Sequence, residues 1–153
     1  MNTETHPHEA VVRGRSLPIS TKMSIIICEE IRGKNIRKAK RLLEEAIAMR
    51  TPIRFRRFHK DLSHKPGMGP ARYPINTSKK ILALLNTLES NAENKGLNKE
   101  QLTITTAIAN FAERRWHMGR QRRTKMKNTH IEIKATEEKK EAKKETPKKE
   151  AQK

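Results

Sequence analysis

The sequence predicts an α+β domain in which three helices pack on a small antiparallel sheet, with a long extended β-hairpin that protrudes from the globule. Three amphipathic stretches, with apolar residues at steps of three and four, predict the helices. Two stretches rich in Ile and Thr predict strands. The segment between those strands carries many cations and few apolar residues. It has no core of its own, so it is expected to project from the domain.

The three predicted helices have residues typical of helix ends. Ser20, Asn35 and Pro74 precede the amphipathic stretches, and such residues are common at helix N-termini. The residues that end the stretches are Gly33, Pro52 and Gly96. The predicted apolar faces are Met23, Ile26, Ile27 and Ile31 in the first helix, Ala39, Leu43, Ala46 and Ile47 in the second, and Ser78, Ile81, Leu82, Leu85, Leu88 and Ala92 in the third.

The predicted hairpin spans residues 102–133. Its strands are expected at residues 101–109 and 130–134, with Leu102, Ile104 and Ile108 on one face of the first. Arms of about sixteen residues would reach roughly 50 Å at ~3.3 Å per residue. Because an isolated two-stranded ribbon is only marginally stable in water, the distal part is expected to become ordered against a partner.

The charge of the chain predicts an anionic partner. Its 153 residues include 35 Lys and Arg against 17 Asp and Glu, a formal net charge of +18. A compact fold tolerates such self-repulsion poorly unless a polyanion neutralises it, and nucleic acid is the obvious candidate. A membrane surface also attracts cations, but no apolar run approaches the ~20 residues of a spanning helix, and no helical stretch has the pattern of a surface anchor.

Cysteine usage and the N-terminal residues predict a cytoplasmic protein. Cys28 is the single cysteine, so neither an internal disulfide nor a thiolate metal cluster can form. Residues 1–10 are polar, with acids and histidines, and resemble neither a secretory signal nor a transit peptide. The protein is therefore expected to stay in the reducing compartment in which it is made.

Residues 50–72, the basic loop, are predicted to be irregular and to bind RNA. Cations accumulate there against a single acid, Asp61. Arg forks bind phosphates bidentately and aromatic rings stack on unpaired bases, so Phe55 and Phe58 serve either as stacking platforms or as core residues. The predicted RNA-binding residues of the loop and the hairpin are Arg54, Arg56, Arg57, His59, Lys60, Lys65, Arg72, Arg114, Arg115, Arg120, Arg122, Arg123, Lys125 and Lys127.

Catalysis has weak support in the sequence. His59, Asp61 and His64 have a spacing that could serve a metal ion or acid-base chemistry, but a cationic loop rich in Pro and Gly disfavours a further cation. Other nucleophile candidates lack a neighbouring base, and no Gly-rich nucleotide loop is present. We expect no enzyme, no cofactor and no metal. A metal-dependent nuclease built on these three residues stays as a minor alternative.

Six short blocks, in a fixed order, resemble a known family. They are Leu17-Pro18-Ile19-Ser20, Ile31-Arg32-Gly33, Pro52-Ile53-Arg54-Phe55-Arg56-Arg57, Ala71-Arg72-Tyr73-Pro74, Ser90-Asn91-Ala92-Glu93-Asn94-Lys95-Gly96-Leu97, and Gly119-Arg120 followed by His130-Ile131-Glu132. Over roughly residues 17–133 the chain closely resembles the large-subunit ribosomal protein family numbered twenty-two in bacteria and seventeen in eukaryotes, in its archaeal form.

The resemblance implies a structural constituent of the large ribosomal subunit that binds its ribosomal RNA and supports assembly. A small globule would dock on the outside of the subunit beside neighbouring ribosomal proteins, while the extended hairpin reaches the nascent-peptide exit tunnel. The tunnel-facing tip, which would meet the nascent polypeptide, is implied to be Arg115, Trp116, His117 and Met118. No membrane contact and no homo-oligomer are implied.

The chain is expected to have three parts. Residues 1–16 would be an N-terminal arm, because no counterpart of the family's N-terminal strand precedes Glu9; the third strand of the sheet would then be short, displaced or missing. Residues 17–133 would be the ribosomal protein domain, including the basic loop 50–72 and the hairpin 102–133. Residues 134–153, rich in Lys and Glu, are expected to be a disordered tail.

A second function class stays open at this point. A free RNA chaperone or regulatory RNA-binding protein would use the same basic surfaces transiently. Stoichiometry separates the two, because a ribosomal constituent is present once per large subunit and survives a high-salt wash that removes loosely bound proteins.

Overall fold

The structure, a computed structural model, describes residues 9–137. Its elements are β1 (Glu9–Leu17), α1 (Thr21–Ile31), α2 (Ile36–Ile47), β2 (Ile53–Arg54), β3 (His64–Lys65), β4 (Gly69–Arg72), α3 (Ile75–Asn94), β5 (Leu102–Phe111) and β6 (Thr129–Glu137). Single turns of 3-10 helix lie at Lys99–Gln101 and Gly119–Gln121. The predicted α+β class and the three predicted helices are confirmed.

The main sheet is antiparallel, with β6 between β1 and β5. α1 and α3 cover one face of this sheet, and α2 packs against α3. Ile104 and Ile133 on the sheet, and Ile27 and Leu85 on the helices, are fully buried in the shared core. Burying an aliphatic side chain of this size contributes ~1.5–3 kcal/mol, so this core holds the helices on the sheet.

The three residues predicted at the helix starts, Ser20, Asn35 and Pro74, are the N-caps of α1, α2 and α3. The Asn35 side chain accepts a hydrogen bond of 3.0 Å from the Arg37 amide at the start of α2. Gly33 and Gly96, just beyond α1 and α3, have φ of +73° and +74°, which L side chains rarely adopt. Ser20 precedes α1 as expected, but its side chain forms no capping hydrogen bond.

The prediction of an N-terminal arm over residues 1–16 is wrong from Glu9 onward. Residues 9–17 form β1, which pairs with β6 along its length, so the third strand is present and of full size. Ala10 and Val12 face the core, while Arg13 and Arg15 are exposed. This alternation is typical of a strand with one buried face, and the arginines obscured it in the sequence. Residues 1–8 lie outside the described residues.

A β-bulge in β5 makes the prediction for Ile108 wrong. Leu102 and Ile104 are fully buried as expected, but the register against β6 shifts between Ile104 and Thr106. One extra residue in the bulged strand inverts the alternation of side chains that follows. Ala107 therefore faces the core, and Ile108 is 42% exposed on the opposite face.

β6 continues past the predicted domain boundary at residue 133. Lys134–Glu137, expected to begin a disordered tail, belong to this strand. Ala135 is fully buried and pairs with both Ala10 and Ile104, so the residues after Ile133 contribute to the core. The rest of the predicted tail, residues 138–153, lies outside the described part of the chain.

The hairpin is divided between the core and a short projection. The ladder between β5 and β6 ends at Phe111 and Thr129, and its helix-facing side is largely buried. Much of the predicted 102–133 hairpin is thus part of the main sheet rather than a free ribbon of roughly 50 Å. Residues 112–128, here called the finger, continue from the ladder with irregular pairing.

Candidate nucleic-acid interface

The basic loop contains a second small sheet, where the sequence predicted irregular structure. β4 lies between β2 and β3 and pairs with both. Ile53 and Phe55 are buried in the core, and the Phe55 amide donates to the Pro70 carbonyl at 2.9 Å. Because successive side chains of an extended segment point to opposite sides, Arg54 and Arg56 face solvent.

Glu45 ties the start of the basic loop to α2. Its carboxylate accepts hydrogen bonds from the Thr51 hydroxyl at 2.8 Å and from Arg41 Nε at 2.9 Å. These hydrogen bonds hold the pKa of Glu45 below its ordinary value. The Glu45 carbonyl also accepts from the Arg50 amide at 2.9 Å. The loop therefore leaves α2 in a fixed direction.

The predicted RNA-binding side chains are accessible. Of the fourteen, Lys65 is half-buried and the other thirteen are exposed. Within residues 9–137, Arg56 is the one member of this set close to a carboxylate, with its Nη2 3.8 Å from Glu30. Cations without acidic neighbours are not neutralised within the protein, so they attract an external anion.

The two phenylalanines of the basic loop have different roles. Phe55 is a core residue with 1% exposure, which decides between the two alternatives for that side chain. Phe58 is half-buried, and its ring centroid lies 5.3 Å from the Arg57 guanidinium and 5.9 Å from Lys22 Nζ. Such cation–π contacts orient the two cations beside the loop. Lys22 was missed by sequence analysis, although its position opposite the apolar face of α1 was a signal.

Arg114 holds the finger closed. Its Nε donates to the Met126 carbonyl at 3.1 Å and its Nη2 to the Lys125 carbonyl at 3.4 Å. The Met126 amide donates to the Arg115 carbonyl at 2.8 Å, and the Asn128 side chain donates to the Glu113 carbonyl at 2.8 Å. One guanidinium predicted to bind RNA thus also has a structural role.

The chain reverses slightly later than the sequence indicated. The turn lies at Gly119–Gln121, after the residues expected at the tip. The His117 amide donates to the Thr124 carbonyl at 2.9 Å, and Lys125 Nζ lies 4.6 Å from the centroid of the Trp116 ring. Met118, directly before the turn, is 92% exposed. The predicted tip residues therefore occupy one arm at the end of the finger.

The basic loop and the finger meet at one cavity. Arg72, the last residue of β4, and Lys127, at the base of the finger, both line it. The Thr129 hydroxyl donates to the Ile19 carbonyl at 2.9 Å and lies 2.7 Å from the Thr21 hydroxyl. These contacts fix the base of the finger to the start of α1, so the end of the basic loop and the base of the finger approach each other at this cavity.

The histidine-containing part of the basic loop has no metal-site geometry. His59 and His64 are exposed, and His64 begins β3. Across residues 9–137, no three His, Cys, Asp or Glu side chains are grouped so that they could hold a metal ion.

No helix among the described residues is long and apolar enough to cross a bilayer.

Comparison with known proteins matches most of the chain to one family. The model of the family described as "Ribosomal protein L22p/L17e" matches residues 12–136. A large ribosomal subunit protein uL22 from Staphylothermus marinus is 40% identical over 129 residues, covering 76% of this chain and 82% of the relative. Proteins of the same name from Archaeoglobus fulgidus and Methanocaldococcus jannaschii are 40% identical over 109 residues and 47% identical over 94 residues. These two alignments cover 69% and 60% of this chain, and 70% and 60% of the relatives.

The chain belongs to the ribosomal protein L22p/L17e family, in its archaeal type. The resemblance inferred from the six sequence blocks is thereby confirmed. Because this is a family of structural ribosomal proteins, the chain is a structural component and not an enzyme.

Proposed function

We propose that this chain is a structural constituent of the large ribosomal subunit in the cytoplasm, where it binds ribosomal RNA and supports assembly of the subunit. The observation that carries the proposal is a pair of cationic surfaces, the basic loop and the finger, that meet at one cavity in a member of a ribosomal protein family. Their predicted contacts are exposed apart from the half-buried Lys65, and within residues 9–137 Arg56 is the one near a carboxylate. Contacts from such a surface are to phosphates and RNA shape rather than to base sequence.

The basic loop would contact RNA with a rigid backbone. Its two core anchors, Ile53 and Phe55, alternate with the exposed Arg54 and Arg56. Since the backbone is already ordered by β2 and β4, little conformational entropy is lost when these arginines bind. The loop is therefore suited to a fixed RNA surface.

The finger would enter the RNA and bring its end to the nascent-peptide exit tunnel. Trp116 and Met118 are 57% and 92% exposed on a projection whose other long side chains are mostly cationic. Exposed apolar side chains of this kind suit contact with an apolar or mixed partner, while the cations bind phosphates. Together with Arg115 and His117, they would meet the nascent polypeptide.

A charge-reversal experiment tests the ribosomal role. Arg122→Glu, on the finger, is compared in cells with Lys38→Glu, an equal charge change on an exposed position of α2 outside both cationic surfaces. We expect wild-type protein and the Lys38 variant at one copy per large subunit after a high-salt wash in gradient centrifugation. The Arg122 variant is expected to be depleted from subunits.

Two outcomes would contradict the proposal. Wild-type protein that stays at the top of the gradient, or leaves the subunit in the high-salt wash, would favour the free RNA chaperone or regulator. Equal incorporation of the Arg122 and Lys38 variants would show that the finger is not part of the RNA-binding surface. Thermal melting of both variants separates loss of binding from loss of fold.

A further inference from the structure

The cavity where the basic loop meets the finger is bounded by two helix N-termini. It has a volume of about 450 Å³ and is open to solvent. Ser20 and Met23 line it from the start of α1, and Asn76 and Thr77 line it from the start of α3. Arg72 and Lys127 complete its wall. Two helix dipoles therefore present their positive ends to one concave surface that already contains two cations.

Backbone amides at both helix starts are free to donate. Neither α1 nor α3 has a side-chain hydrogen bond at its N-cap, and neither has an acidic residue in its first turn. Within the described chain, no acceptor is found for the amides of Lys22, Met23, Asn76 or Thr77. The start of α2 differs, because the Asn35 side chain accepts from the Arg37 amide. Of the three α-helices, α1 and α3 have no side-chain cap among the described residues, and both begin at the cavity.

The Thr77 hydroxyl gives independent support for an external ligand. Thr77 lines the cavity and is only 3% exposed. Its hydroxyl forms no hydrogen bond with any residue in the range 9–137, whereas the buried hydroxyls of Thr21 and Thr129 are both bonded. The side chain is otherwise buried and its hydroxyl is not one of the fully enclosed unpaired atoms, so the cavity gives access to it, and a ligand oxygen there would accept its hydrogen bond.

The charges of the cavity restrict the ligand to an anion. Among residues 9–137, no carboxylate lines this cavity. Arg72 offers a planar fork that matches two oxygens of a phosphate, and Lys127 adds a second cation from another element. Free amides at helix N-termini are typical donors to phosphate oxygens.

We infer that this cavity is a binding site for a single phosphate group of the RNA backbone, held by the N-termini of α1 and α3, Arg72, Lys127 and the Thr77 hydroxyl. The inference rests on the proposed function for the source of the phosphate. The bound phosphate would be a fixed contact that holds the basic loop in one position relative to the finger. A phosphate held there would link both cationic surfaces to one nucleotide.

Inorganic phosphate and a designed cap variant test the site in the isolated protein. In Ser20→Asp, the introduced carboxylate would cap α1 and occupy the place of the phosphate. Thr77→Val removes the hydroxyl at nearly constant volume. The control is Asn86→Asp, which introduces the same charge at an exposed position in the middle of α3.

Chemical shifts of backbone amides during a phosphate titration report the binding. In wild type and Asn86→Asp we expect saturable shifts centred on Lys22, Met23, Asn76 and Thr77. Ser20→Asp should weaken phosphate binding by at least roughly tenfold while its melting temperature stays the same or rises, because a carboxylate suits a helix N-cap. Thr77→Val should weaken it about threefold, as for one lost hydrogen bond. Absence of saturable shifts at these amides, or unchanged binding in Ser20→Asp, would overturn the inference.

Ribosomal RNA binding separates this site from the proposed function. With a large-subunit ribosomal RNA fragment, Ser20→Asp should reduce the slope of log affinity against log salt by about 0.7–0.9, the value for one phosphate. If wild type binds the RNA but the variant keeps the full slope, the phosphate site is wrong and the proposed function stands. If wild type fails to bind the RNA, the proposed function is wrong, and the phosphate titration still decides whether the anion site exists.

Discussion

At the scale of single residues, burial decides the chemistry of Cys28. The thiol lies in the core at 1% exposure, and desolvation raises its pKa to about 12. The neutral thiol is therefore favoured in the folded state relative to the unfolded chain, whose thiol titrates near pH ~8.5. This contribution to stability is fully present below about pH 8.5 and is lost as pH rises toward 12.

We expect Cys28 to resist alkylation until the protein unfolds. Iodoacetamide at pH 8 should leave the native protein unlabelled and label it stoichiometrically in guanidinium chloride, because the thiolate is the reactive form. Intact-mass spectrometry measures the labelling. Rapid labelling of the native protein, at a rate comparable with that of the denatured chain, would show that the thiol is neither buried nor neutral.

Ser78 is a second residue whose environment has a measurable consequence. Its Oγ is buried and has no hydrogen-bond partner in the part of the chain that the structure describes. Replacing it by Ala removes an unsatisfied hydroxyl and introduces the best helix former, so Ser78→Ala should raise the free energy of unfolding by about 1 kcal/mol. Urea denaturation measures the change.

Ser24 provides the matched control for this prediction. It is equally buried on α1, but its Oγ donates to the Ser20 carbonyl at 2.9 Å. Ser24→Ala removes a hydrogen bond that is formed, so no gain in stability is expected. If both variants change the stability by the same amount, hydrogen bonding is not the cause of the difference.

At the scale of elements, the finger depends on side-chain hydrogen bonds to carbonyl groups. Arg114 binds the carbonyls of Lys125 and Met126 from the opposite arm, beyond the end of the ladder. A two-stranded projection without a core is only marginally stable in water. Loss of this contact should therefore loosen the pairing along the whole finger.

Arg114→Ala should therefore open the finger without unfolding the domain. We expect faster hydrogen exchange at the amides of His117 and Met126, while the melting temperature of the domain changes little. Arg115→Ala removes the same charge from the neighbouring exposed position and should leave the exchange rates unchanged, because the Arg115 side chain forms no such contact among the described residues. Equal exchange in both variants would exclude Arg114 as the residue that closes the finger.

The helices were predicted well from sequence patterns, and the strands were predicted less well. The helices were predicted because apolar residues at three- and four-residue steps coincide with buried positions such as Ile81, Leu85 and Leu88. The exposure of Ile108 was not predicted, since a bulge changes the alternation without leaving a signature in composition. β1 was missed because exposed arginines at an edge strand resemble a basic arm.

At the scale of the whole molecule, charge repulsion opposes the compact fold. The formal net charge is +18 on 153 residues, and within residues 9–137 most cations of the two surfaces have no carboxylate nearby. Exposed charges interact over a screening length of ~10 Å at 0.1 M salt and over longer distances at lower salt. Removing this repulsion should stabilise the fold whether the counter-charge comes from salt or from RNA.

We expect the melting temperature of the isolated protein to rise as sodium chloride is increased from about 10 mM to about 200 mM, since screening weakens the repulsion. Differential scanning calorimetry measures the transition. A charge-reduced variant such as Arg122→Glu with Arg123→Glu provides the control and should show a smaller rise. A melting temperature that falls with salt would mean that attractive ion pairs outweigh the repulsion.

Local periodicity, composition and ordered blocks were enough to predict the fold class, the three helices, the family and the exposed cationic residues. The packed fold was needed to show that residues 9–17 complete the sheet, that Arg114 closes the finger and that Arg72 and Lys127 share a cavity with two helix N-termini. Pairing register, carbonyl acceptors and converging helix ends join residues that are far apart in the chain. Such contacts depend on how the elements pack and leave little trace in the local residue pattern.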